Sequence, residues 1–447
     1  MFKTEKMKHI VLALLLGGTL NVKAQTQLTL QQCIDYTLKS HPSIRINENN
    51  VRIAKEKSRQ AVADYLPQVS GSVTMLDNMR LQTTVLPAGI FGPDPAEVQF
   101  GTKYNTNATI DVSQALFDQS KIAGIQANKP YAEMTALQKQ QNDETLVYNT
   151  AKAYFQVLIY QEQLRLLYAN REKYEEMVSV LQHQYEKGTA LEKDVDRVKV
   201  NLNTTIYQIE DATTKEQLAV NALKNAMGMP MDEELIVEAD MDYELLVNSD
   251  TQDGLKLEAL TEYQLNEKSI DLQEISVKAS KAAYLPTLNA VGKFGTQALS
   301  NDFSQAFDRW NSFSYVGLSL KVPLFSGLKR KSIVSEEKFK LNNERANFDL
   351  NKQNLQLAFE NAKTSVGTAY ANYRSNKDNM LLAEKLLAVT DYQYQRGVVS
   401  LTDYLNDDAA YKGAQSNYVS SLYQLMISRL DYQKSIGELD EFISQIK

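Results

Sequence analysis

The sequence predicts a mainly α protein that carries a membrane β-barrel, built from two copies of one unit: a helix, two strands and a long helical hairpin. Three observations predict it. Landmark motifs recur half a chain apart. Two stretches of helix-forming sequence run for tens of residues with almost no Gly or Pro. Four short segments alternate apolar with small polar residues.

The duplication organises the rest. "ADYLPQVSGSV" at 63–73 answers "AAYLPTLNAVG" at 282–292, and Leu66 and Leu285 lie 219 residues apart. "QALFDQSK" at 114–121 answers "VPLFSGLK" at 322–329, with Phe117 and Phe325 only 208 apart. Gly188 and Gly397, then Gly228 and Gly437, keep an offset of 209. The fall from 219 to 208 gives the first copy 11 extra residues, which lie in the connection 76–103.

Along the chain, Met7-Lys8-His9, the apolar run Ile10–Leu20 and the small Ala24 mark residues 1–24 as a secretory signal peptide, too short to span a bilayer. Its removal takes four Lys and one Glu away, and the net charge moves from −7 to −10. The first repeat is 25–230 and the second is 231–447. Stretches 43–65 and 258–284 lack internal Gly and Pro and stop before Pro67 and Pro286, as helices do. Strands follow at about 68–75 and 104–113, and again at about 287–295 and 314–322. Val69, Gly71, Val73 and Met75 share one face, with Gln68, Ser70, Ser72 and Thr74 on the other. In an exported protein this alternation reads as a membrane barrel, although a half-buried sheet in a soluble domain shows the same period. Four strands cannot close a barrel, which needs about eight, so a barrel here requires several chains.

The hairpins occupy about 118–228 and 326–436. Residues 131–187 contain no Gly or Pro, and 328–396 contain only Gly367. At about 1.5 Å per residue, such helices reach roughly 100 Å. Leu191, Val195, Val198, Leu202, Thr205, Ile209 and Ala212 are spaced 4-3-4-3, and Ala219, Leu223 and Ala226 continue the seam beyond Glu216. Leu167, Tyr174, Val178, Leu181 and Tyr185 form the facing stripe. "KGTA" at 187–190 is therefore a hairpin tip. "YQRGVVSLTDYL" at 394–405 is its counterpart, and the seam after it runs through Tyr404, Tyr411, Tyr418, Leu422 and Leu425.

Charge and chemistry narrow the function. A net charge of −7 argues against a nucleic-acid partner. Beyond the signal, one Cys and two His (His41, His183) make no zinc site, and no phosphate-binding glycine loop occurs. Nothing points to an enzyme or a cofactor. Cys33 follows "TLQQ", which lacks the small residue that lipid attachment needs, and reads as an incidental small apolar residue.

Duplicated halves, "YLP" before a strand, "PLF" after the next, "YxxG" with an aspartate six residues on, and "MGMP" at 227–230 together resemble TolC-like outer-membrane efflux proteins, the outer membrane factors. The resemblance implies a homotrimer in which each chain gives four strands to one twelve-stranded β-barrel in outer-membrane lipid, continued by a trimeric α-helical tunnel through the periplasm. It implies a passive channel that takes substrates from a periplasmic adaptor (membrane fusion) protein and an inner-membrane transporter of RND or ABC type. It implies no catalysis. The long loop "LPAGIFGPDPAEVQFGTKYN" would sit outside the cell. The rival is a periplasmic adaptor or coiled-coil scaffold, which has one hairpin between β-domain halves, where this chain has two.

Carried over residue by residue, the family's tips give Gly188, Thr189, Gly397 and Val398 as turn and adaptor-contact positions. Asp194 matches an acidic gate residue of the first hairpin and Tyr394 a tyrosine of the second. The arginine some members place two residues after the glycine is Val399 here, which leaves packing of Val398, Val399 and Leu401 to hold the closed state. Asp403 matches a pore-ring aspartate that would favour cations. Read without the resemblance, it is a solvated or capping aspartate at a helix start. The next ring position is Asn406, followed by Asp407 and Asp408.

Overall fold

The computed structural model describes residues 27–89, 92–238 and 254–446; the signal segment 1–24 lies outside them. In chain order the elements are β1 (Gln27–Leu28), α1 (Leu30–Ser40), α2 (Pro42–Ala63), β2 (Gln68–Asp77), β3 (Thr83–Leu86), β4 (Ala96–Gln99), β5 (Tyr104–Phe117), α3 (Gln119–Gln126), α4 (Asn128–Glu186), α5 (Glu192–Met227), β6 (Ile236–Val237), α6 (Thr261–Ala282), β7 (Thr287–Ser300), β8 (Trp310–Lys321), α7 (Lys329–Gln395), α8 (Leu401–Ile436) and α9 (Leu439–Gln445). The series α2-β2-β5-α4-α5 recurs as α6-β7-β8-α7-α8. The chain forms two compact units, one from residues up to Ile46, Gln140–Leu260 and Gln353 onward, the other from Asn47–Lys139 and Thr261–Lys352.

Local chemistry sets the element ends. Thr29 and Gln32 form a capping box at the start of α1. Pro42 opens α2 at the one helix position where a missing N–H costs nothing. Asp118 accepts from the amides of Ser120 and Lys121 and starts α3. Helix stops at Ala127 and resumes at Asn128, because Pro130 has no N–H to offer Gln126 and its ring crowds that carbonyl.

The second unit holds an antiparallel sheet in the order β2-β5-β7-β8. Its register aligns Val69, Val112, Gly292 and Val316 in one row, and Ser70, Asp111, Lys293 and Tyr315 in the next. The first row belongs to a face whose large apolar side chains stand exposed; Val316 is 91% exposed. The opposite face is richer in polar residues, although it also carries Leu76, Leu299 and Phe313. Lys293 Nζ lies 2.9 Å from Asp111 Oδ1, and Thr109 Oγ1 donates to Asp111 at 3.0 Å. This distribution is inverted for a water-soluble sheet and right for one whose outside meets lipid. The long connection 76–103 carries its own hairpin, β3 against β4, with Thr83 opposite Gln99.

The first unit buries its apolar stripes among helices. Its main core joins Leu30, Phe155, Leu158, Leu223, Leu422, Leu425 and Met426, drawn from α1, α4, α5 and α8. Toward the tips a second cluster gathers Tyr174, Leu181, Val195, Val198, Leu387, Leu401 and Tyr404. The two hairpin seams are thus one shared core. Two predicted seam positions are exposed: Leu191, at 58%, precedes α5 with extended ψ 145 and its side chain leaves the stripe, and Tyr185, at 41%, lies in the last turn of α4. Cys33 is buried in α1, and that burial pushes its thiol up to about 12.

Candidate functional site

Both tips end their incoming helix with the same turn. Gly188 has φ +72° and Gly397 φ +71°, a left-handed conformation that glycine enters without penalty. The amide of Gly188 donates to Tyr185 O at 2.8 Å and that of Thr189 to Gln184 O at 2.8 Å. Gly397 donates to Tyr394 O and Val398 to Gln393 O, both at 2.9 Å. These paired bonds satisfy helix carbonyls that would otherwise be orphaned. Thr189 Oγ1 also donates to Gln184 O, at 2.9 Å.

The outgoing helices start differently. Leu191 caps α5 without any side-chain hydrogen bond, though Glu192 and Asp194 in the first turn suit the helix dipole. Ser400 caps α8 in a reciprocal box: Asp403 N donates to Ser400 Oγ at 3.2 Å, and Ser400 N donates to Asp403 Oδ2 at 3.1 Å. The Ser400 hydroxyl and amide hold the Asp403 carboxyl below its ordinary pKa. Asp403 is exposed, with Oδ2 turned back onto Ser400 at the start of its own helix.

Tyr394 is half-buried, its ring 5.6 Å from that of Tyr404. Burial, and then the charge of Asp194, raise its pKa. Val398 is 71% exposed, and Leu401 is the apolar tip residue packed within the chain. The hairpins are joined near their ends by Arg197 Nη1, which donates to Thr402 Oγ1 at 3.0 Å. A cleft of about 470 Å³ lies beside them, lined by Lys173, Glu176, Asp391, Tyr394 and Tyr404 among others.

Sequence reasoning missed the most buried charge of this region. Asp408 is 2% exposed and bridges the hairpins. Lys173 Nζ stands 2.9 Å from Oδ1, Lys412 Nζ 3.5 Å from Oδ2, and Tyr174 donates its hydroxyl to Oδ2. Lys173 lies over the Tyr404 ring at 5.1 Å and Lys412 over the Tyr174 ring at 4.9 Å. Nearby, Asn170 Nδ2 donates to Gln415 Oε1 at 2.9 Å, a buried amide pair. Only the Asp408–Lys412 spacing of four could have signalled this from sequence.

No group of three or more His, Cys, Asp or Glu is placed to hold a metal among the described residues. Among them, too, no helix is long and apolar enough to cross a membrane. The sheet, by its exposed apolar face, is the element suited to lipid. An open sheet with an exposed apolar face and long hairpins ending in matched tips are the features of an outer-membrane channel chain.

Comparison with known proteins gives the family. The model for outer membrane efflux proteins matches residues 33–229 and 264–438, and the chain belongs to that family. Outer membrane protein TolC of Salmonella enteritidis is 20% identical over 456 residues, 98% of this chain and 87% of that protein. Alkaline protease secretion protein AprF of Pseudomonas aeruginosa is 21% identical over 345 residues, 75% of this chain and 70% of that protein. Among solved structures, the outer membrane protein VceC of Vibrio cholerae superposes with a TM-score of 0.72 at 16% identity, covering 91% of this chain and 96% of VceC. The open state of the MtrE outer membrane channel of Neisseria gonorrhoeae gives 0.73 at 16%, covering 92% and 89%. The protein is an outer-membrane efflux channel, a conduit and not an enzyme.

Proposed function

We propose that three copies of this chain close one barrel, β8 of each pairing with β2 of the next, and that the hairpin tips of all three converge to shut its periplasmic end. The observation that carries this is the open sheet. Among the described residues its edge strands β2 and β8 each pair on one side only, while one of its faces carries exposed apolar side chains. Four strands are half of the smallest barrel, and unpaired edges in lipid cost several kcal/mol per orphaned group. Repeats 25–230 and 231–447 then act as pseudo-equivalent halves around the axis.

In this reading the duct receives cargo from a periplasmic adaptor and an inner-membrane transporter of RND or ABC type, with Gly188, Thr189, Gly397 and Val398 on the surface the adaptor meets. The exposure of all four suits contact. Asp194 and Tyr394 belong to the closure, and three exposed Asp403 carboxylates near one axis favour cations.

Membrane fractionation followed by bilayer reconstitution tests it. The expected result is a detergent-extracted trimer that conducts and prefers cations, with that preference reduced in Asp403→Ala. A soluble periplasmic monomer would favour the adaptor or scaffold reading. A conducting trimer of unchanged selectivity would remove Asp403 from the pore.

A further inference from the structure

We propose that Asp408 is a positioning residue for the closed state: it pins the second hairpin to the first above the tips, and losing its charge releases them. The proposal rests on the reading that the tips close the duct.

The arrangement is reciprocal. The lysine of α4, Lys173, covers the tyrosine of α8, Tyr404, and the lysine of α8, Lys412, covers the tyrosine of α4, Tyr174. Both ammonium groups meet on the same carboxylate, and both rings are fully buried. Asp408 uses both oxygens on three donors, two of them from the other hairpin. It stands eleven residues beyond Gly397, about two helical turns into α8. Below it the hairpins are held by the packing of Leu181, Val195, Leu387 and Leu401 and by the exposed Arg197–Thr402 bond.

An exposed bond of that kind contributes little. A buried carboxylate between two lysines behaves otherwise. With the carboxylate present the charges are matched and the hydrogen bonds made. With it neutralised, two part-buried ammonium groups face each other across the helix pair without the carboxylate that bridged them, and removing one member of such a cluster is strongly unfavourable. The relief available is separation of α8 from α4, which carries Tyr404, Tyr394 and the second tip away from the first. Asp408 therefore offers an ionic link between hairpins, where Val399 has replaced the tip arginine.

Two measurements on the assembled channel decide this. Spin labels at Glu172→Cys on α4 and Ala409→Cys on α8, both exposed positions, report the separation of the hairpins. Bilayer recording reports the open fraction. Asp408→Asn is expected to lengthen the label distance and to raise the open-to-closed ratio on the order of a hundredfold. Lys173→Met, which leaves Asp408 with Lys412 and Tyr174, moves both readouts the same way by less; it stands in if Asp408→Asn does not assemble. An unchanged distance overturns the pin. A longer distance with unchanged gating also overturns it, provided Tyr394→Ala raises conductance and so shows that the tips do gate. If neither Asp408→Asn nor Tyr394→Ala raises conductance, tip closure itself fails, and the pin with it.

Discussion

The two hairpin tips end their incoming helices alike and begin their outgoing helices unlike. Gly188 and Gly397 share a dihedral angle to within a degree and the same pair of amide–carbonyl bonds. Yet α8 starts on a closed Ser400–Asp403 box, and α5 starts on an uncapped leucine. The glycine turn is a geometric need of any hairpin, so both copies keep it. The cap adjusts how firmly the next turn is held, and the copies differ there. The second tip is thus a rigid end with a fixed carboxylate, while the first is free to fray through its opening turn.

Three experiments break or sharpen this contrast. The largest effect tests the shared part. Gly188→Ala and Gly397→Ala each cost about 1–2 kcal/mol of local stability, because alanine is strained at positive φ even though open space surrounds both positions. Hydrogen exchange of the tip amides reads this cost, and clearly unequal values would end the equivalence of the turns. The next tests the difference. Ser400→Ala costs the second tip about 1 kcal/mol, whereas Leu191→Ser adds up to about that much to the first by supplying the missing cap. Similar protection at residues 192–195 and 401–404 in the wild type would count against the contrast.

The smallest effect is with pH. The folded Asp403 carboxyl titrates below its ordinary 3.8 because Ser400 hydrogen-bonds its charged form. A group lowered on folding adds stability above its unfolded pKa and withdraws it as pH falls through the folded one. Protection at the start of α8 should therefore decline below pH 3.8, and that loss should be smaller in Ser400→Ala, which keeps the amide but not the hydroxyl.

Much of the fold was legible because its signals are local. A period of two, a 4-3 spacing and the Gly/Pro punctuation need only a few neighbouring residues to show themselves, and the duplication repeated each signal. Where a signal was too short, reading stopped. Strands β3 and β4 are four residues each, too few to establish alternation in the connection 76–103. Leu191 fits the seam by count, but spacing is blind to an extended ψ. At the tips the turn glycines were readable from the break they make between two long helices, whereas Asp194 and Tyr394 were singled out by resemblance and their part in closure is a proposal. Asp408 was not readable: its partner Lys173 is 235 residues away, and a charge run such as "NDD" at 406–408 ordinarily lies in water. Its burial follows from how two hairpins meet, which no single helix encodes.

The buried thiol of α1 has a practical consequence. At a pKa near 12 and with no exposed surface, Cys33 stays protonated and shielded at neutral pH, where maleimides and methanethiosulfonates attack only an accessible thiolate. The wild-type chain is then its own cysteine-silent background. Any pair of reporters can be introduced without first deleting the native residue and disturbing the core it fills.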